Sequence, residues 1–224
     1  TTVGRTSVRS ANASAMASPT VVTNAPPYHA ELSPSPVAAD RVRLVHHGAA
    51  IPARKIENMV SLGPLLDARF ELTFCLVDGI PDYRRRLEAL AAGQPRTAFV
   101  PPVPMPALPG WLNQFDLGVF LLEPTNFNYR HALPNKFFEF VQGRLGIAIG
   151  PTPEMARIVG ETGAGVVADD FRPKTLAAAL NRLTAADIEV FKRAAHDAAP
   201  RLSADANRAT WLAICHGALI GWGS

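Results

Sequence analysis

Between His131 and Glu139 the chain reads HALPNKFFE, which gathers an imidazole, an amide, a lysine and a carboxylate at the start of one helix. The Pro134-Asn135-Lys136 entry offers free amide N–H groups, the positive end of a helix dipole and a cation in one place. That combination suits phosphate or pyrophosphate. Phe137, Phe140 and Val141 share one helical face by their i, i+3, i+4 spacing, and Glu139 points off it. A carboxylate one turn inside such a helix can accept hydrogen bonds from a ribose diol, and it can equally be a solvated surface glutamate. Spacing alone leaves both readings open.

Other stretches carry compatible chemistry. His47 to Lys55, HGAAIPARK, has a glycine at Gly48 where backbone can approach an anion, and the cations Arg54 and Lys55 where a helix starts. It holds one glycine and no GK[ST], so it is neither a G-x-G-x-x-G nor a P-loop, which counts against a dinucleotide dehydrogenase or an NTPase. The plainer reading is a strand-to-helix turn with two solvated cations. Val100 to Pro106, VPPVPMP, is stiff and apolar: a wall for a planar base contacted through main-chain groups such as those of Val100, or only a rigid connection. Glu123 to Arg130, EPTNFNYR, is polar and aromatic and leads into His131, and at Gly150 to Glu154 Thr152 is placed to cap a helix. His46 and His47 have no partner at metal-ligand spacing and read as hydrogen-bonding loop residues. Gly160 to Gly165, GETGAG, precedes a strand and reads as a turn. With no Ser-His-Asp order, no paired acid and base and no C-x-x-C, the chain offers a binding cleft more clearly than a reaction centre.

These loops need a scaffold that brings them to one edge. Apolar runs at Arg41 to His47, Phe70 to Val77, Thr97 to Val100, Leu117 to Leu122, Gly146 to Ile149 and Gly165 to Ala168 read as strands. Helices are predicted over Ala53 to Asp67, Pro81 to Ala92, Leu108 to Phe115, Pro134 to Gln142 and Glu154 to Glu161. Three more, Pro173 to Leu183, Ala185 to Ala198 and Ala204 to Leu219, close the chain. Continuous apolar strands alternating with helices indicate an α/β fold, a doubly wound parallel sheet covered on both faces. In such a sheet ligands bind at the carboxyl ends of the strands, near the switch in strand order. Residues 1–18 are small and polar and read as a flexible tail, Thr20 to Asn24 as a short strand, and the Ser-Pro-Ser-Pro run from Ser33 as an extended linker. The expected division is a tail and linker over 1–40, the sheet domain over 41–202 and a terminal helix over 203–224. Ser203 is its N-cap, and Trp211, Leu212, Cys215 and Leu219 share one of its faces.

Composition narrows the classes. The 224 residues are 48% hydrophobic and 18% charged, less charged than the roughly 25% usual in soluble domains. A net charge of +3 fits a phosphate-bearing ligand and lacks the clustered basicity of a nucleic-acid binder. Cys75 lies in an apolar strand far from Cys215, which predicts a buried thiol and not a disulfide. No window approaches the ~18 apolar residues of a membrane span and the N-terminus lacks a basic-then-apolar signal, so a soluble, cytoplasmic protein is expected.

Taken in order, the pieces HGAAIPARK, VPPVP, LPGWLNQFDLGVFLLEP and LPNKFFEFVQGRLGIAIGPTPEMARIV resemble the C-terminal, nucleotide-sugar-binding half of a GT-B glycosyltransferase, nearest to the large family 4. The resemblance spans roughly residues 41 to 200, and its most specific part, NKFFEFVQGRLGIAIG, is similar to the family's N/S-K-x-x-E-Y-x-A-x-G-x-P-V-V segment. It implies that Gly48, Arg54 and Lys55 hold the donor diphosphate and that Glu139 holds the ribose as the later glutamate of an E-x7-E motif. His131 falls where the earlier glutamate meets the sugar or its leaving phosphate. Asn135 and Lys136 join the phosphate edge, and Val100 the donor site. His131 cannot reproduce a carboxylate's interaction with developing positive charge, and the proline of G-x-P-V-V is absent from Gly143-Arg144-Leu145-Gly146. Thr20 to Pro27 resembles the end of the family's acceptor-binding domain, most of which the chain lacks. The implied activity is hexosyl transfer from a nucleotide diphosphate sugar to a sugar, lipid or small-molecule acceptor in polysaccharide or glycoconjugate synthesis. No metal or other cofactor is required, peripheral membrane contact is compatible with it, and the fragment alone is expected to be inactive. The alternatives are a non-hydrolysing sugar-nucleotide epimerase and a noncatalytic nucleotide-binding or interaction domain.

Overall fold

A computed structural model describes residues 21–221, with side chains through His216. The tail expected over 1–18 and the side chain of Leu219 lie outside the described residues. The elements follow as β1 (Val42–Ala50), α1 (Glu57–Val60), β2 (Phe70–Asp78), α2 (Tyr83–Leu90), β3 (Thr97–Val100), α3 (Leu108–Leu112), β4 (Leu117–Phe120), α4 (Phe127–Arg130) and α5 (Asn135–Gln142). After them come β5 (Gly146–Ile149), α6 (Pro153–Thr162), β6 (Gly165–Val167), α7 (Pro173–Asn181), α8 (Ala185–Ala198) and α9 (Ala204–Gly221). All six strands are parallel in the order β3-β2-β1-β4-β5-β6. The strand order therefore reverses between β1 and β4, which is where a doubly wound sheet opens a crevice. The register shows the opening. The β1–β4 pairing stops at Val45 and Gly118, while β1 continues to Ala50 against β2.

Helix α5 covers this switch point and is buried from Lys136 through Gln142. Of the two readings that spacing leaves open for Glu139, the solvated surface position is excluded: it is only 6% exposed. A helix buried all round needs a close seat. Gly118 provides it, since a Cβ there would lie 2.3 Å from the Phe140 ring.

The predicted helix over Ala53 to Asp67 breaks into a 3-10 turn at Pro52–Arg54, the short α1 and a second 3-10 turn at Gly63–Leu65. Proline at the start of each 3-10 turn and Lys55 in the left-handed region, φ 47°, interrupt it. Residues 21–24 form no strand. Thr152 precedes α6 but does not cap it; its hydroxyl donates to the Leu122 carbonyl at 3.3 Å. Gly160 lies inside α6, and Gly163, φ 68°, ends that helix in the left-handed conformation. Ser203 does cap α9, accepting from the Ala206 N–H at 3.3 Å. The α9 face carrying Trp211, Leu212 and Cys215 is exposed instead of packing on the sheet. Cys75 is buried and free, as its strand predicts.

The segment before β1 is strapped to the domain by buried cations. Arg144 is fully buried and donates to the carbonyls of His29 and Gln142 and to His196 Nδ1. Lys192, equally buried, donates to the Ser35 hydroxyl at 2.8 Å and contacts Asp116 at 3.3 Å. The Ala204 N–H bonds the Pro26 carbonyl at 2.8 Å. These ties hold Pro26, Pro27 and His29 beside α5.

Candidate functional site

Where the β1–β4 ladder ends, a side chain takes over from the backbone. His46 is fully buried, and its Nδ1 lies 2.9 Å from the Val119 carbonyl oxygen. That carbonyl can only accept, so the proton sits on Nδ1 and Nε2 presents a lone pair. Lys136 Nζ approaches Nε2 at 3.2 Å and lies 4.4 Å from the centre of the Phe120 ring. Lys136 is 5% exposed and, among the described residues, has no carboxylate partner within ion-pair distance. Burial, then the neighbouring Arg54, holds its ammonium well below the usual lysine range, and Glu139 partly offsets this. Burial and Lys136 likewise hold His46 well below the ordinary imidazole value.

The end of β1 closes over this ammonium. Gly48 has φ +113°, and a Cβ there would come 3.3 Å from Lys136 Nζ and 3.9 Å from an Arg54 guanidinium nitrogen. Only glycine adopts that backbone conformation readily. The result is two cations and bare main chain at the N-terminus of α5, with no side-chain cap hydrogen bond on that helix. This is an environment for a doubly charged anion.

Along α5 from Lys136, Glu139 faces a cleft of about 360 Å³ whose other walls are Pro26, Pro27, His29, Met105, Pro106, Leu108 and Pro109. One carboxylate on apolar walls suits a ring system carrying vicinal hydroxyls. Burial pushes the Glu139 carboxyl up and Lys136 pulls it back. His47 stands behind it, 4% exposed, with Nε2 3.4 Å from Glu139 Oε2. Burial, then Lys136, pushes the His47 imidazole down to about 3, so at neutral pH the imidazole is uncharged and the contact with Glu139 is not an ion pair.

The structure thus brings Gly48, Arg54, Lys136 and Glu139 together. Lys55, exposed at the crevice mouth, instead pairs with Glu123 across the loops that follow β1 and β4. Asn135 is exposed and accepts from the Asn24 amide at 3.0 Å. Val100 sits on the far edge strand, and its carbonyl accepts from the Arg84 guanidinium at 3.3 Å. The apolar wall comes from the residues after it, Met105 to Pro109. His131 is an exposed residue ending α4, its ring 4.8 Å from that of Phe127. Sequence reasoning passed over His46 and His47 as loop residues. The available signal was their place at the end of a buried strand directly before Gly48. Among the described residues no group of three or more His, Cys, Asp or Glu could hold a metal ion, and no helix is long and apolar enough to cross a membrane.

No model of a known protein family and no curated protein matches the sequence. Solved structures match by fold. A variant of TarM from S. aureus, bound to fondaparinux, α-GlcNAc-glycerol and UDP, superposes with a TM-score of 0.67 at 11% identity, over 86% of this chain and 38% of that one. HepE from Anabaena, in complex with UDP and glucose, gives 0.63 at 12% identity, over 79% and 49%. The C-terminal domain of LpcC, a group 1 glycosyl transferase from Francisella tularensis, gives 0.54 at 10% identity, over 72% and 85%. This chain therefore has the fold of the C-terminal half of a GT-B glycosyltransferase, and it spans half or less of the TarM and HepE chains.

Proposed function

We propose that this chain is the donor-binding part of a glycosyltransferase, taking a nucleoside diphosphate sugar in the crevice between β1 and β4. The observation that carries the reading is the buried Lys136, which among the described residues has no carboxylate within ion-pair distance and lies against Gly48 and Arg54 at the N-terminus of α5. Lys136, Arg54 and the first amides of α5 bind the diphosphate and stabilise the charge it gains as the glycosidic bond to the sugar breaks. Glu139 accepts from the ribose diol, and the proline-lined cleft takes the base. Lys55 completes the phosphate edge by exchanging Glu123 for the ligand. UDP is bound in the TarM variant and in HepE, which makes UDP the first probe.

Calorimetric titration with UDP and GDP, run in EDTA because the cations here are side chains, is expected to show saturable binding below millimolar concentration. Absence of binding of either at millimolar concentration sinks the proposal. Glu139→Gln is expected to weaken binding by about 1 to 3 kcal/mol, roughly 5- to 150-fold, for a lost charge-assisted hydrogen bond. Unchanged affinity would remove Glu139 from the site. One observation favours a second reading, binding without transfer: the exposed His131 lies against Phe127, the rings tilted at 46°, where the resemblance implies a carboxylate in the site. A full-length version that binds donor but neither hydrolyses it nor transfers it with any acceptor extract would establish that reading.

A further inference from the structure

We infer that His47 is the positioning residue for the ribose-binding carboxylate: its Nε2–H holds one oxygen of Glu139 so that the other faces the diol. The inference rests on the donor-site reading above and adds to it a residue on a different element. His47 Nε2 is the one buried side-chain nitrogen or oxygen among the described residues that has no hydrogen-bond partner. Leaving such a group unpaired is costly, so its persistence calls for a cause. Glu139 Oε2 lies 3.4 Å away, close enough to pair, yet the two form no hydrogen bond. The ring is held edge-on to Phe140 at 5.2 Å and 86°, one residue beyond Glu139 on the same helix. The imidazole is therefore fixed, and the carboxylate is the part that moves.

A neutral imidazole carries one N–H, and a carboxylate has about four lone-pair positions on two oxygens. If His47 takes one oxygen, the carboxylate plane is set and the second oxygen accepts from the sugar. A small rotation of Glu139 brings the pair into line, and a diol pulling on the free oxygen drives it. Three charged or titratable groups besides these flank the pair: Lys136, whose charge acts on both, the neighbouring buried His46, and His29 on the opposite wall of the cleft, itself paired with Glu31 at 2.7 Å. None of them hydrogen-bonds His47 Nε2.

The test compares UDP and GDP with their 2′-deoxy and 3′-deoxy analogues on the wild-type chain and on His47→Leu, His47→Phe and His47→Gln. Wild type is expected to lose about 10-fold or more in affinity for at least one deoxy analogue, in line with a hydrogen bond to a charged group. The two apolar variants are expected to shrink that discrimination to under about 3-fold, whereas His47→Gln, which keeps a donor, retains most of it. A ratio of two affinities does not depend on the fraction of protein folded, and two apolar variants guard against one failing to fold. Full ribose discrimination in the apolar variants, or identical behaviour of Leu and Gln, overturns the role of His47 and leaves the donor site standing. Wild-type protein that binds no nucleoside diphosphate, or binds without any preference for the ribose hydroxyls, overturns the underlying reading as well.

Discussion

Asp116→Ala is expected to cost about 3 to 5 kcal/mol of folding stability, the range for stranding a buried charge by removing its partner. Asp116 is fully buried, accepts from the Arg43 backbone N–H at 2.7 Å and from its guanidinium at 3.1 and 3.2 Å, and lies 3.3 Å from Lys192 Nζ. With alanine there, the buried Lys192 ammonium keeps only the Ser35 hydroxyl and the Phe115 carbonyl. These groups join β1, α8 and the segment before β1, so the damage is not local. Urea unfolding, compared at the midpoint with an unchanged slope, measures the loss. Asp116→Ala with Lys192→Met should recover much of it, because the pair is then removed together. A loss below about 1 kcal/mol in the single variant would show that the buried pair contributes little.

Lys136→Met is expected to have two effects of opposite sign. Nucleoside diphosphate affinity should fall by about 2 to 5 kcal/mol, roughly 30- to several thousandfold, because a desolvated cation is removed from a bound dianion. The unliganded protein should become more stable, since an apolar chain of similar length replaces an ammonium whose burial is uncompensated. The pH dependence gives the sign. Burial depresses the lysine when folded, so below its unfolded pKa, about 10.4, the unfolded chain binds more protons and stability rises with pH between the folded and unfolded values. Lys192 is depressed in the same direction, so the diagnostic is the difference between the two proteins: the methionine variant should show a shallower rise. An unaltered pH slope together with unaltered affinity would mean that Lys136 is a packing residue.

Asp116 and Lys136 belong to different problems, one holding the sheet to its flanking segments and the other, in the proposed function, meeting the charge of a ligand. Both are buried, and what separates them is the partner. Asp116 meets Arg43 and Lys192, whereas Lys136 meets a histidine lone pair, an aromatic ring and another cation's field. An ammonium buried without an ion-pair partner lowers the stability of the empty protein, and functional sites often carry such a cost.

By itself the sequence determined the parallel α/β scaffold, the loops at the carboxyl ends of β1 and β4, and the burial of Cys75. Continuous apolar runs and the proline-led entry to α5 are local signals, complete within a few residues. It also pointed to Gly48, Arg54, Lys136 and Glu139 as companions, through the resemblance of whole segments. Only the tertiary structure decided that Glu139 is buried, that His46 and His47 stand against α5, that Lys55 pairs with Glu123 and that Val100 lies two strands from the crevice. The physical reason is that helical periodicity describes one element's own faces. Burial and pairing depend on what the neighbours bring. Here Gly118 lets α5 sit close on β4, the strap of Pro26 to His29 closes its remaining side, and a glutamate that spacing leaves open to solvent becomes the floor of a cleft.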